Sequence, residues 1–354
     1  EAPTVVLAPF FAEGGRLTVG DMHYVAGPPG SGGDGSAKLT LAGETEFARD
    51  RAFGYSASSL PDWVAEKHAG GPFPPPEVRS IDLATVRGGG PRAVAELVSA
   101  APPACVVVAN AVAPHDMLVV ALGCLHAELS RGPRRPLLYR SAGALVAARA
   151  AIPPRPLLGA AELAPPCGAA VRAGLVVVGS YVGKSSAQLA VLLRDCLWLV
   201  AVELRVAEFA GGKTESAAAE EQRCEASVQD ALARNQSVVL HTSRTVLQED
   251  GAGGLLVGAR VSEALCRIVT AVLASKPAFL VAKGGITSND IAVRALGVRR
   301  AEVLGAIVPG VPVWRCGPET RAPGLAYVVF PGNVGGEGDL AKVVRTMAPE
   351  GAPG

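Results

Sequence analysis

The sequence predicts an α/β protein of two domains, each built on a largely parallel sheet, with a ligand cleft between them. The chain has 354 residues, which is enough for two hydrophobic cores. Hydrophobic residues make up 49% but aromatic residues only 5%, and 42 glycines and 28 prolines divide the chain into short apolar runs. These runs alternate with segments of helical periodicity, which is typical of parallel sheets covered by helices.

The first domain is predicted over residues 1–151. It opens with the apolar strand PTVVLAPFF, followed by a short strand around LTVGDMHYV and a Gly/Ser-rich loop. Leu60, Pro61 and Asp62 begin a helix, because proline is favoured at the first helical position. Helical periodicity returns in PRAVAELVSA and PHDMLVVALGCLHAELSRG, while PACVVVANAV contains a buried strand and PLLYRSAGALVAARA a strand followed by a helix.

Residues 152–173 are rich in proline and show no period, so we interpret them as a linker. The second domain is predicted over residues 174–346, where the alternation repeats. GLVVVGSYVGKSSAQLAVLLRD has the pattern of strand, turn and helix, and LWLVAVELRV that of a strand. A helix over TESAAAEEQRCEASVQDALARN, a strand over QSVVLHTSR and a helix over VSEALCRIVTAVLASK follow.

Composition and spacing exclude several classes of function. A net charge of +1 gives no electrostatic basis for binding nucleic acid or an anionic membrane. No apolar run approaches the roughly 20 residues that span a bilayer, and we expect a cytoplasmic protein. The seven cysteines include no C-x-x-C pair and no spacing suited to zinc, which favours reduced thiols and no metal site in the protein.

Three glycine-centred turns lie between Phe279 and Gly336, each after an apolar strand. Their sequences are FLVAKGGITSND, VLGAIVPGVPVW and YVVFPGNVGG. Glycine adopts positive φ and lets the backbone approach a ligand closely. Several such turns at strand ends predict an anion-binding floor of main-chain N–H groups, and a nucleotide phosphate is the ligand that we favour.

The turn from Gly179 to Ser185, GSYVGKS, is close in sequence to a phosphate-binding P-loop. A P-loop has four residues between its first glycine and Gly-Lys, whereas this turn has three. Its N–H groups and the hydroxyls of Ser180 and Ser185 would still favour an anion at the start of a helix. The alternative, that Ser185 or Ser186 only caps the helix, is equally compatible with the motif.

Lys283 ends the strand FLVAK and is followed by two glycines. A tight turn in which Thr287 or Ser288 caps the next helix explains the later residues but not the lysine. The carboxyl end of a parallel strand faces the crevice where open α/β sheets bind ligands, and two glycines leave room for a phosphate. We therefore expect Lys283 to supply a mobile positive charge.

These segments resemble the four-carbon acid sugar kinases, a two-domain family, along nearly the whole chain. In the first half the matching pieces are LAPFFAEGGRLTVGDMHYV, ETEFARD, VVVANA with Asp116, and YRSAGALVAARA. In the second half they are LVVVGSYVGKSSAQ, VVLHTSR, AKGGITSNDIAVRALGV, GAIVPGVPVW and FPGNVGG. The resemblance implies an N-terminal domain that holds a sugar acid, a C-terminal domain that holds ATP with Mg²⁺, and phosphoryl transfer between them.

The resemblance also implies nucleotide contacts from the glycine turns and their neighbours. These are Gly179, Ser180, Lys283, Gly284, Gly285, Ile286, Thr287, Ser288, Gly305, Pro309, Gly310, Gly332, Asn333 and Gly335. Near the sugar acid we expect Arg16, Arg140 and Ser141, because the fork of an arginine suits both carboxylate and phosphate. For each arginine, a surface salt bridge remains an open alternative.

Two departures from the family pattern leave the catalytic residue unassigned. The family's opening Asp-Asp-x-Thr-Gly strand is not in this sequence, nor is a later segment with Lys, Asp, Ser, Thr and Arg. The acidic residue that usually follows the paired glycines is Ile286 here, with Asp290 four residues later. Either the chain is a fragment that begins inside the first strand or it is a divergent member, and we expect it to bind ATP with magnesium but to transfer little phosphate.

Three hypotheses follow. The first is an ATP-dependent kinase that acts on a four-carbon sugar acid of the erythronate, threonate or oxo-tetronate type. The second is a non-catalytic nucleotide- or metabolite-binding module, one section of a larger multifunctional metabolic protein. Under either hypothesis the expected partners are a small-molecule sugar acid and either further copies of the chain in a homo-oligomer or other metabolic domains fused to it. The third, a Rossmann-type oxidoreductase, is disfavoured because no G-x-G-x-x-G follows a strand with an acidic residue about 20 positions later.

Overall fold

The computed structural model describes residues 2–27, 31–32, 34, 36–49, 54–132, 135–163, 173–179, 183–210, 214–244 and 252–348. The chain forms two compact units, an N-terminal unit over Glu1–Pro154 and a C-terminal unit over Arg155–Gly354. Each unit combines helices with a largely parallel sheet, which confirms the predicted fold class. Within the described ranges, no helix is long and apolar enough to cross a membrane.

The N-terminal unit contains a four-stranded and a three-stranded sheet. Its strands are β1 (Thr4–Ala8), β2 (Arg16–Val19), β3 (Met22–Ala26), β4 (Leu39–Leu41), β5 (Val78–Ile81), β6 (Val106–Ala109) and β7 (Leu137–Ser141). The larger sheet is parallel, in the order β5-β6-β1-β7. The smaller sheet, β2-β3-β4, is antiparallel.

Helices cover both faces of the parallel sheet in this unit. They are α1 (Leu60–His68), α2 (Gly90–Ser99), α3 (Pro114–Arg131) and α4 (Gly143–Arg149). Because successive strand residues point to opposite faces, Val107 joins the core that contains Met117 of α3, whereas Val108 packs with Val64 of α1. Burial on both faces explains why β6 consists of valines and an alanine.

The segment LTVGDMHYV, predicted as one strand, is a hairpin made by β2 and β3. Its turn residues, Gly20 and Asp21, have φ values of 55° and 61°. Two successive residues with positive φ form the turn that matches the twist of a tight hairpin, and this reverses the chain. The prediction of a single strand was therefore wrong.

The C-terminal unit contains one seven-stranded sheet. Its strands are β8 (Leu175–Val178), β9 (Val200–Leu204), β10 (Val238–Thr242), β11 (Phe279–Lys283), β12 (Ala301–Val308), β13 (Val311–Cys316) and β14 (Ala326–Phe330). Their order is β12-β13-β14-β11-β8-β10-β9. The five strands from β14 to β9 are parallel, and β13 runs antiparallel to both of its neighbours.

The helices of this unit are α5 (Ala160–Leu163), α6 (Gly183–Asp195), α7 (Thr214–Ala233), α8 (Ala252–Val272), α9 (Gly285–Asp290) and α10 (Asp339–Met347). A π-helical segment, Ile291–Leu296, continues α9. The two sheet faces form two apolar clusters, one with α7 and α8 and the other with α6 and α10. Leu158 and Leu163, from the stretch interpreted as a linker, are buried in the second cluster.

The described cysteines are buried and unbridged. They are Cys105, Cys124, Cys196, Cys224, Cys266 and Cys316. Burial raises the pKa of Cys124 to about 12, so this thiol stays protonated at neutral pH. Cys167 lies outside the described residues.

Candidate functional site

The glycine turns after three strands of the C-terminal sheet meet at its carboxyl edge. Lys283, the last residue of β11, lies level with Val178 at the end of β8 and with Phe330 at the end of β14. The chain leaves these three positions through Gly179, Gly284 and Pro331. Because parallel strands end at the same edge, turns that are far apart in sequence become neighbours, and this edge is where α/β sheets bind ligands.

Gly284 and Gly285 form the turn between β11 and α9. Gly284 has φ 116° and ψ 142°, a conformation that is essentially restricted to glycine, and its N–H donates to the Phe330 carbonyl at 2.9 Å. A Cβ built on Gly285 would contact nothing within 4 Å, so this position opens into space. Ile286 is 76% exposed beside it. The first N–H groups of α9 therefore lie next to open volume.

The capping alternative for α9 was wrong. Gly284 occupies the N-cap position of α9, so Thr287 and Ser288 lie inside the helix, where both are buried. The described part of α6 begins at Gly183, and the residues before it, 180–182, lie outside the described ranges. The Ser185 hydroxyl is fully buried and, among the described residues, has no hydrogen-bond partner.

Packing alone requires a glycine at position 179, whether or not a ligand binds beside it. A Cβ on Gly179 would lie 2.3 Å from Oγ1 of Thr287, closer than real atoms approach. The carbonyl of Gly179 accepts a hydrogen bond from the Thr242 hydroxyl at 3.4 Å. Gly179 is thus packed against the start of α9. Ser180, the predicted neighbour in the nucleotide site, lies outside the described residues.

Lys283 is not the mobile charge that the sequence predicts. Its side chain is fully buried, and Nζ donates to the carbonyls of Pro331 at 2.6 Å and Gly332 at 3.1 Å. The ammonium also lies 4.3 Å from the centroid of the Phe330 ring, a cation–π contact. Burial, with a smaller contribution from the charge of Lys184, lowers the pKa of Lys283 from 10.5 to about 7.

The loop Pro331–Gly336 is held through its carbonyl groups by α6 as well. Lys184 Nζ lies 3.5 Å from the Asn333 carbonyl, and Gln188 Nε2 donates to the carbonyls of Val334 at 3.2 Å and Gly336 at 2.9 Å. Gly335 has φ 85°, which allows the chain to turn there. Within the described parts of the chain, the N–H groups of residues 332–335 donate to no protein acceptor.

Arg244 brings a further positive charge to the same edge. Its Nη2 donates to the Val178 carbonyl at 3.2 Å and its Nε to the Thr242 carbonyl at 3.0 Å. Nearby, burial lowers the pKa of His241, so its ring is neutral at neutral pH. Lys184, Lys283 and Arg244 together favour an anionic ligand.

Sequence reasoning did not include Lys184, Gln188 or Arg244 among the candidate site residues. Lys184 and Gln188 are spaced i, i+4, which places them on one face of α6, next to the near P-loop motif. That spacing was the available signal for these two residues. Arg244 follows the strand β10 at the same edge as the glycine turns. It is the last residue of VVLHTSR, one of the segments that carry the family resemblance, and that was its available signal.

The hairpin of β12 and β13 separates Gly305 from the other glycines. Since β13 is antiparallel to both neighbours, β12 runs parallel to β14, and Pro309 and Gly310 turn at the same edge but two strands further along. Gly305 lies inside β12, at a bulge with φ 147°, where a Cβ would meet the Leu158 side chain at 3.2 Å. Leu158 therefore accounts for this glycine by packing.

In the N-terminal unit the predicted arginines stack on aromatic rings. The guanidinium of Arg16 lies 4.8 Å from the centroid of Phe47, and that of Arg140 lies 4.7 Å from the centroid of Trp63. Among the described residues, neither forms the salt bridge considered as an alternative. Arg140 and Ser141 are exposed at the carboxyl end of β7, where Ser141 is level with Ala8 of β1. This leaves the Arg140 charge accessible to an acidic ligand.

Asp21 forms a network that the sequence did not reveal. Its carboxylate accepts from Asn110 Nδ2 at 2.7 Å and from the Ser80 hydroxyl at 2.5 Å. In return, the Asp21 N–H donates to Asn110 Oδ1 at 2.8 Å. These bonds fix the tip of the β2–β3 hairpin at the carboxyl ends of β5 and β6. The pairing of both carboxylate oxygens makes Asp21 a structural anchor for this edge.

Asp116, one of the residues that carried the sequence resemblance, stabilises the start of α3. Its carboxylate accepts from the N–H groups of Val112 and Ala113 and forms a two-pronged ion pair with Arg87. A search of the described residues finds no group of three His, Cys, Asp or Glu side chains that could hold a metal ion.

Comparison with protein families finds a different domain in each half of the chain. Residues 1–149 match the model of a sugar-binding N-terminal domain, and residues 175–340 match that of a nucleotide-binding C-terminal domain. No curated protein matches the chain in sequence. The nucleotide-binding match spans all three glycine turns of the carboxyl edge.

Solved structures share the fold at low identity. A Salmonella typhimurium LT2 protein, described as a candidate tRNA synthase, is similar with a TM-score of 0.67 and 16% identity, covering 97% of this chain and 73% of its own. Protein HI1011 of Haemophilus influenzae, from the family DUF1537, is similar with a TM-score of 0.57 and 16% identity, over 97% of this chain and 74% of its own. At such identity the similarity establishes the fold alone.

Proposed function

Because this chain belongs to the four-carbon acid sugar kinase family, we propose that it is an ATP-dependent kinase. Its acceptor would be a hydroxyl group of a four-carbon sugar acid of the erythronate, threonate or oxo-tetronate type. The observation that carries the proposal is the loop Pro331–Gly336. Four of its N–H groups have no acceptor among the described residues, and the charged side chains of Lys184 and Lys283 lie beside it. That combination suits the phosphates of ATP.

Phosphoryl transfer needs positioned donors more than covalent help from the protein. The transferred group carries its charge on three oxygens, and an enzyme stabilises that charge with N–H groups, cations and magnesium. The glycine loop and the first turn of α9 would supply the N–H groups. Mg²⁺ would enter with ATP, since magnesium commonly keeps phosphate and water ligands.

The N-terminal unit would hold the sugar acid. Arg140 is exposed, and its stacking on Trp63 fixes the guanidinium plane at one end of β7. A planar guanidinium binds a carboxylate through two parallel hydrogen bonds. Arg16, held on Phe47, would add a second positive charge. A cytoplasmic location, where thiols stay reduced, belongs to the same proposal.

Nucleotide binding can be tested by titration calorimetry with MgATP and MgADP. In Gly285→Val the added side chain should fill the open space beside Gly332 without disturbing the fold, and binding should be lost. Gly258→Val is the matched control, because a Cβ on this exposed glycine of α8 also meets nothing within 4 Å. Equal affinity of Gly285→Val and wild type would remove the turn after β11 from the site.

Transfer can be tested by measuring ADP formation with four-carbon sugar acids. Erythritol is the matched control, since it has the same four-carbon chain with a hydroxymethyl group in place of the carboxylate. ADP formation that requires the acid would support the kinase proposal. ADP formation that is equally fast with erythritol would contradict the proposal. Tight MgATP binding with little transfer is what we expect of a chain without the acidic Asp-Asp-x-Thr-Gly motif, and a non-catalytic nucleotide-binding module would give the same result.

A further inference from the structure

The loop Pro331–Gly336 is held almost entirely through its carbonyl groups, and we call it the carbonyl-held loop. Lys283 of β11 binds the carbonyls of Pro331 and Gly332. Gln188 of α6 binds those of Val334 and Gly336. Lys184 of α6 approaches the carbonyl of Asn333. Side chains from two separate elements thus converge on one short segment.

Holding the carbonyls determines where the N–H groups point. In a planar trans peptide, the C=O of one residue and the N–H of the next point in opposite directions. The held carbonyls of residues 331 to 334 therefore turn the N–H groups of residues 332 to 335 away from Lys283 and α6. Within the described ranges, none of these four N–H groups donates to a protein acceptor.

Lys283 and Gln188, which make most of the hydrogen bonds to this loop, are polar side chains whose burial is energetically unfavourable. Lys283 is an ammonium group with no exposed surface and no carboxylate among its recorded contacts. Gln188 is also fully buried, and its Oε1 has no hydrogen-bond partner in the described structure. Buried polar groups of this kind weaken a fold unless they are fully satisfied. Folding stability alone does not explain why both converge on the same loop.

We propose that Lys283 and Gln188 are positioning residues that build a row of four outward N–H donors, from residues 332–335, for the phosphates of a nucleotide. They act on the phosphate through the loop and do not contact it. This inference rests on the proposed nucleotide binding at the same edge. It differs from the sequence-based expectation, in which Lys283 itself was the phosphate ligand.

The test compares Gln188→Met with wild type. Methionine keeps the length and much of the shape of glutamine but donates no hydrogen bond. Gln229→Met is the matched control, because Gln229 Nε2 bonds only a neighbouring Glu225 on α7 at 3.0 Å. The first measurement is the ¹⁵N order parameter of the amides of residues 332–336 in the ligand-free protein, and the second is the dissociation constant for MgADP.

In wild type and in Gln229→Met we expect order parameters of about 0.85 for these amides, the value of a rigid backbone. In Gln188→Met they should fall below about 0.6, while the amides of β11 keep their wild-type values. MgADP should bind about tenfold more weakly, since two hydrogen bonds that order the loop are lost. Lys283→Met, which removes the other two bonds, should have the same two effects.

Two outcomes would overturn the inference. One is a rigid loop in Gln188→Met and Lys283→Met, and the other is a mobile loop with unchanged MgADP affinity. If wild type binds neither MgADP nor MgATP, the proposed function fails, while the order parameters of the ligand-free loop still decide whether these residues hold it.

Discussion

Lys283 should make the stability of the C-terminal unit rise with pH above neutrality, and Lys283→Met isolates that effect. Burial, followed by the charge of Lys184, lowers the pKa of Lys283 from 10.5 to about 7. Between these two values the unfolded chain holds a proton at this position that the folded chain has lost. Stability rises with pH wherever the unfolded state binds more protons, so the free energy of unfolding should increase through this window.

The magnitude follows from the two pKa values of the same group. Below pH 7 both states carry the proton and the unfavourable contribution is constant, and above 10.5 neither carries it. From pH 7 to pH 9 the difference averages about 0.85 proton, and a full proton changes the free energy of unfolding by about 1.4 kcal/mol per pH unit. The expected gain for wild type over this interval is about 2 kcal/mol.

Urea unfolding of wild type and Lys283→Met at pH 7, 8 and 9 measures this gain. A Trp63→Phe background is useful because Trp198 and Trp314 then report on the C-terminal unit alone. The thiols that ionise near pH 9 in the unfolded chain are common to both proteins and cancel in the comparison. The wild-type minus variant difference should grow by about 2 kcal/mol. Parallel pH profiles would refute the lowered pKa of Lys283.

Two further predictions concern Glu220 and Arg140. Burial raises the pKa of Glu220, but Arg223 and Arg205 outweigh it and lower the pKa to about 2. Glu220→Gln should reduce the free energy of unfolding in urea by about 3 kcal/mol at pH 7, and this difference should shrink as the pH falls from 4.5 towards 2. A pH-independent difference would contradict this. Arg140→Met should raise KM for the sugar acid about tenfold with little change in kcat, whereas an unchanged KM would limit Arg140 to stacking on Trp63.

The strands and glycine turns of the C-terminal unit could be predicted because their signals are local. LVVV and FLVAK are apolar runs that fit central strands buried on both faces. Gly179 and Gly284 follow strand ends directly and Gly332 follows one residue later, and parallel pairing alone brings those ends together. The sequence therefore indicated the edge and its backbone donors without knowledge of the strand order.

The contacts that shape the edge could not be predicted because their partners are distant in sequence. Lys283 and Pro331 are 48 positions apart, and Gln188 and Val334 are 146 apart. A lysine at a strand end gives no local sign that a later loop will cover it, so its burial was missed. The same reason applies to Gly305, because its neighbour Leu158 is 147 positions away in the sequence.

Two features of the carboxyl edge each lower the stability of the fold: the buried ammonium of Lys283 and the unpaired Oε1 of Gln188. If they lay apart, each would need its own explanation. Instead they adjoin one loop, and the Gly284 N–H joins its turn to the end of β14. A buried cation can often be replaced by an apolar residue without loss of stability, so selection for folding alone would not keep Lys283 here. The proposed nucleotide binding accounts for this arrangement, and on that proposal Lys283→Met should remove the pH-dependent penalty and the order of the loop together.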